Sequence, residues 1–84
     1  MKSNYKESDA FLLHATKFKE TSLLCVFFSK EFGKVSAIAK GARSKKSKFQ
    51  ALTVPGAIFK IAFSGKNELK TLTSCESLET LDIN

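Results

Sequence analysis

The sequence predicts an all-β domain, a small five-stranded barrel with a long basic connection between strands 3 and 4. Three observations carry that expectation. Apolar runs of strand length recur along the chain, separated by glycine-containing or polar turns. The cleanest run alternates residue by residue, with Ala57, Phe59, Ile61 and Phe63 on one face and Ile58, Lys60, Ala62 and Ser64 on the other. The third is the segment from Gly41 to Pro55, basic, serine-containing and too long for an ordinary turn.

Ala10-Phe11-Leu12-Leu13-His14-Ala15 is the first apolar run. Leu23 to Phe28 is continuously apolar and rich in β-formers, a pattern expected of a strand covered on both faces. Glu31-Phe32-Gly33-Lys34 follows, where Gly33 can supply the positive φ of a tight hairpin turn. In strand 3, Val35, Ala37 and Ala39 face one way and Ser36, Ile38 and Lys40 the other. Within the long connection the sizeable apolar anchors are Phe49, Leu52 and Val54. Ser44 to Leu52 has room for a short helix of one or two turns begun by a serine cap, and Pro55-Gly56 ends it. Strand 4 is the alternating run. Gly65-Lys66-Asn67 turns it into strand 5, Glu68 to Cys75. Beyond Ser77 the pattern weakens, and Leu78, Leu81 and Ile83 suit either a fraying strand or the start of a short helix.

Strands joined as hairpins 1-2-3 and 4-5 favour closure, because an open sheet of five would leave two exposed edges and a two-layer sandwich needs more strands. The partly open OB-fold barrel has this strand count and binds oligonucleotides across strands 2–3 and the loops joining 1–2 and 4–5. An SH3-like barrel is the competing topology, and periodicity does not separate the two.

At 84 residues and 43 % hydrophobic content, the chain has enough apolar surface for one thin core. A single domain spanning 1–84 is expected, and wholesale disorder is not. No apolar run approaches the roughly 20 residues of a membrane span, and the start lacks the pattern of a secretory signal. Two cysteines, Cys25 and Cys75, make no disulfide framework. A cytoplasmic compartment is therefore expected, with no membrane partner.

The formal charge of +6 is unevenly placed. From Phe32 to Asn67 there are eight basic residues and no acid: Lys34, Lys40, Arg43, Lys45, Lys46, Lys48, Lys60 and Lys66. Five of them crowd between Lys40 and Lys48, whereas Glu76, Glu79 and Asp82 sit near the end without a base among them. Scattered lysines commonly keep a β-protein soluble, but a one-sided cluster attracts polyanions such as nucleic acid.

Catalytic chemistry is not indicated. His14 is the only histidine, in an apolar strand with no carboxylate or nucleophile placed beside it. Cys25, Cys75 and His14 are scattered singles, unlike the closely spaced ligands of a zinc site. Cys25 reads as a small core residue, and nothing near Cys75 lowers its pKa. The four glycines form no phosphate-cradling motif. The reading is a binding module, not an enzyme, with no cofactor and no small-molecule substrate. Lys17 and Lys19 add cations in the 1–2 loop, with Phe18 between them placed either to stack on a base or to plug a barrel end. Phe32 falls in the 2–3 turn, and Phe11, Phe27, Phe59 and Phe63 are expected in the core. With few exposed aromatics, binding should lean on phosphates, with weak sequence preference and strong salt dependence.

Four strings in this order and spacing resemble one family: Phe18-Lys19-Glu20-Thr21-Ser22, Phe32-Gly33-Lys34, Ala39-Lys40-Gly41-Ala42-Arg43 with Ser47 following, and Glu68-Leu69-Lys70-Thr71-Leu72. Together they are similar to the N-terminal domain of RecO, the bacterial recombination mediator. The resemblance implies an OB fold in a DNA-repair protein that binds single- and double-stranded DNA and anneals complementary strands. It also implies work with RecR and the tail of single-stranded DNA-binding protein (SSB), so that RecA replaces SSB on gapped DNA. Lys40 and Arg43 then become the leading DNA contacts and Lys34 the next, with Lys45, Lys46, Lys48, Lys17, Lys19 and Phe18 assisting. Gly41 would bend the backbone, and the side chains of Glu20, Thr21 and Ser22 would tie down the 1–2 loop. RecO proteins continue into a helical domain, which is expected to be absent from this chain. A second reading uses the same basic face to dock an acidic protein segment, such as the SSB tail.

Overall fold

A computed structural model of the chain describes residues 5–44, 49, 52 and 56–78. Five strands, β1 (Lys6–Phe18), β2 (Ser22–Ser29), β3 (Gly33–Ala39), β4 (Ile58–Ser64) and β5 (Leu69–Ser77), close into a barrel in the order β1-β2-β3-β5-β4. All neighbours run antiparallel except β3 and β5, which pair in parallel through Ser36–Leu69, Ala37–Lys70 and Ile38–Thr71. That parallel contact gives the order of the OB fold and not that of the competing SH3-like barrel. No helix of the described residues is long and apolar enough to cross a membrane.

β1 is longer than its apolar run because it serves two neighbours. Lys6 to Phe11 pair with β4, and Ala10 to Phe18 pair with β2, with a register shift between Leu12 and His14 where one pairing hands over to the other. A bulge at such a point bends the strand around the barrel. It also means that Phe18, expected in a loop, is the last residue of β1.

The alternation of β3 and β4 is as expected: Val35, Ala37 and Ala39, and Phe59, Ile61 and Phe63, all point into the core. Two expectations are corrected. β2 is not covered on both faces: Leu23, Cys25 and Phe27 are inside and Val26 is buried on the outer face, but Phe28 is 60 % exposed. Phe11 is not a core residue; Ala10 and Leu12 take the inward positions, which turns Phe11 out beside Phe28.

Two buried serines fix the β2–β3 turn. Ser29 Oγ donates to the Gly33 carbonyl (2.8 Å) and accepts from Phe32 N–H (2.9 Å), and Ser8 Oγ accepts from Glu31 N–H (3.0 Å). Gly33 closes the turn at φ +69°, the left-handed region where glycine avoids the Cβ penalty. Phe32 packs edge-on against Phe63, with centroids 5.7 Å apart, so it caps this end of the barrel. After β3, Gly41 (φ +70°) bends the chain as expected. Ala42, Phe49 and Leu52 then enter the core, with Leu52 N–H donating to the Phe49 carbonyl (3.0 Å). Most of the expected short helix, together with Val54, Leu81 and Ile83, lies outside the described residues.

Candidate nucleic-acid interface

One end of the barrel gathers five of the nine predicted contact residues. β1 ends there, β2 begins there and β3 ends there, since Phe18 pairs with Ser22 and Leu23 with Ala39. Lys17, Phe18, Lys19, Lys40 and Arg43 therefore sit close along the chain's turns at this rim. All but the half-buried Phe18 are exposed. Lys17 pairs with Leu23 and so leaves β1 on the opposite face from Phe18.

The β1–β2 turn is short and strained. Lys19 has φ 56°, in the left-handed region that costs a non-glycine residue roughly 1–2 kcal/mol. Arg43 holds it from outside. Its Nε donates to the Ser22 carbonyl (3.2 Å). Its Nη2 donates to the carbonyls of Lys19 (2.8 Å) and Glu20, and its main-chain N–H donates to Thr21 O (2.8 Å). The loop is thus tied through its main chain by Arg43, a different device from the side-chain ties expected of Glu20, Thr21 and Ser22. With three of its five N–H donors engaged, Arg43 keeps its charge at the rim but has only Nη1 left for a phosphate. The fixed turn sets the Lys19 ammonium 5.5 Å from the centre of the Phe18 ring, a cation–π arrangement with a flat face beside a charge.

Lys34 lies at the far end of β3. It belongs to the same outward set as Ser36 and Ile38, and Lys40 follows the strand's other end, six residues and therefore roughly 20 Å away. Beside Lys34 an open groove of about 500 Å³ crosses the outer face, lined by Leu24, Lys34, Ser36, Glu68 and Leu69. The β4–β5 loop borders this groove, and Lys70 Nζ braces it by donating to the Gly65 carbonyl (3.1 Å). Sequence reasoning names Lys70 only within a family string, without a role, and does not pick out the groove, which exists because parallel pairing brings Leu69 beside Ser36, a contact without a local signature. Lys45, Lys46 and Lys48 lie outside the described residues. Lys60 pairs across strands with Asp9 and Glu76, so acids flank it away from the rim.

Burial pushes the Cys25 thiol up to about 11. Burial, and secondarily the neighbouring Cys25, push Cys75 up to about 12. Both are thiols at neutral pH, poor nucleophiles and poor metal ligands. Among the described residues no three His, Cys, Asp or Glu side chains gather as metal ligands.

The barrel order, with a groove over β2, β3 and the start of β5 bordered by the β4–β5 loop, defines an OB-fold domain. Its sequence places it more narrowly: residues 1–81 match the family described as Recombination protein O N terminal, and the chain belongs to that family. Among curated relatives, the "DNA repair protein RecO" of Actinobacillus pleuropneumoniae serotype 5b is 46 % identical over 66 residues, 79 % of this chain and 28 % of the relative. That of Salmonella dublin is 42 % identical over 69 residues, covering 82 % and 28 % respectively. That of Laribacter hongkongensis is 38 % identical over 71 residues, covering 84 % and 29 %. The chain spans less than a third of the length of these relatives.

Proposed function

We propose that this barrel is the DNA-binding module of a protein of recombinational repair. It would engage the phosphates of single- and double-stranded DNA along the outward face of β3 and across the braced β1–β2 rim. The observation that carries the reading is the run of exposed cations from Lys34, on the outer face of β3 beside the groove, to Lys40, in the turn that follows β3, and the Phe18–Lys19 pair at the rim. Neutralising phosphates with such cations releases counterions. The flat ring of Phe18 offers a surface for a base where the strand is single. Family membership supports the setting: strand annealing and single-strand gap repair, in which the module helps RecA load onto SSB-coated DNA, with RecR and SSB as partners.

Salt-titrated binding to single-stranded and duplex oligonucleotides tests this. On single strands log affinity should fall with log salt by about 0.7 per phosphate engaged. Lys34→Glu with Lys40→Glu should weaken all sequences alike, by about tenfold or more, and flatten that slope. Unchanged affinity and slope in the double variant would remove β3 from the interface. An acidic peptide that displaces DNA from the wild type would place both ligands on one face.

A further inference from the structure

On the outer surface an apolar row crosses three strands and ends next to the groove, where Phe28 lies opposite Lys34. Phe28 of β2, Phe11 of β1 and Ile58 of β4 are directly opposite one another, so their side chains share a face. They are 60 %, 42 % and 51 % exposed. Asp9, Lys60 and Glu76 form a charged cross-strand ladder beside the row. An apolar centre with a polar border is the composition of a contact surface.

We propose that this row is the seat of the polypeptide that follows the barrel in the longer relatives, folded back onto the outside of β2, β1 and β4. Three observations select this occupant. The chain leaves the barrel at the row itself: Leu78 N–H donates to the Ile58 carbonyl (2.9 Å), so whatever follows starts beside Ile58. The matched family is an N-terminal one, and the match covers only 28 % of the relatives, so most of their length comes after it. The exposed area of the row is on the order of 300–400 Å². That is well short of the roughly 800 Å² per partner typical of stable association between separate molecules, a second copy included. A tethered segment needs less area, because attachment supplies an effective concentration in the millimolar range.

The test joins this 84-residue chain to the part of the Actinobacillus pleuropneumoniae relative that follows its matched segment, and compares the fusion with the chain alone. Hydroxyl-radical footprinting should find Phe11 and Phe28 at least threefold protected in the fusion, with Phe18 at the far rim unchanged. Equal modification in the two proteins overturns the proposal. As a second reading, Phe28→Ser with Ile58→Ser should shift the melting temperature of the chain alone by less than about 2 °C but lower that of the fusion severalfold more. Equal small shifts in both also overturn it. Self-association of the chain alone, abolished by the same substitutions in sedimentation, would assign the row to a second copy instead.

Discussion

Arg43 and Lys19 are separated by twenty-four positions and joined by a 2.8 Å hydrogen bond. Through that bond and its companions to Glu20 and Ser22, the guanidinium keeps a left-handed lysine in place. A lysine at position 43 would keep the charge but lose the planar fork that reaches several carbonyls at once. Arg43→Lys should therefore cost about 1–2 kcal/mol of stability. It should weaken DNA binding while leaving the salt slope nearly unchanged, which separates a brace from a phosphate contact in one titration series. The cationic character of positions 40 and 43 is plain from the sequence. Which of them braces and which faces solvent is not, because the bracing partners lie on another loop. The cysteines carry a second consequence at this scale. Folding raises Cys25 from about 9 to about 11, so the native state favours the neutral thiol. That stabilisation is complete below pH 9 and is lost as pH rises through 11. The melting temperature should fall over this window, and less steeply in Cys25→Ala.

Elements differ in how well local pattern exposes them. β3 and β4 are legible because one face is buried throughout, which imposes strict alternation. Only the middle of β1 is legible, since Lys6, Glu7, Asp9 and Lys17 turn outward or reach the rim and interrupt the apolar signal. The β2–β3 turn reads partly: Gly33 announces the left-handed residue, but the service of Ser29 on both sides of the turn needs the folded chain. Ser29 is 2 % exposed and serves both the Gly33 carbonyl and the Phe32 N–H. Ser29→Ala should destabilise the domain by about 1–3 kcal/mol, because two buried main-chain groups lose their partner. Denaturant titration would register it as a lower midpoint at constant slope.

For the molecule as a whole, five strands and one long connection were enough to point to a closed barrel, and the strand count proved correct. The order of closure was not readable, because the three parallel pairs of β3 with β5 leave no periodic trace. The core they enclose is thin. Phe27, Phe59, Phe63, Leu12, Leu52 and Ile61 supply most of its large, fully buried side chains. Phe27→Ala should cost about 3–5 kcal/mol, against a total of roughly 4–12 kcal/mol expected for a domain of this length. Circular dichroism should show a variant unfolded or close to its transition at room temperature.

β1, shared between β2 and β4, also governs when the domain can exist at all. Its pairing with Lys6 opposite Phe63 joins the first strand to the fourth, so the entropy of closing a loop of more than half the polypeptide must be met before that pairing yields anything. On the ribosome, the β1-β2-β3 meander emerges early and waits with the flanks of β1 and β3 unpaired until the final strand clears the exit tunnel. The cationic stretch after β3 is synthesised within that interval, and its charge repels other nascent copies when the open edges are most vulnerable to mispairing.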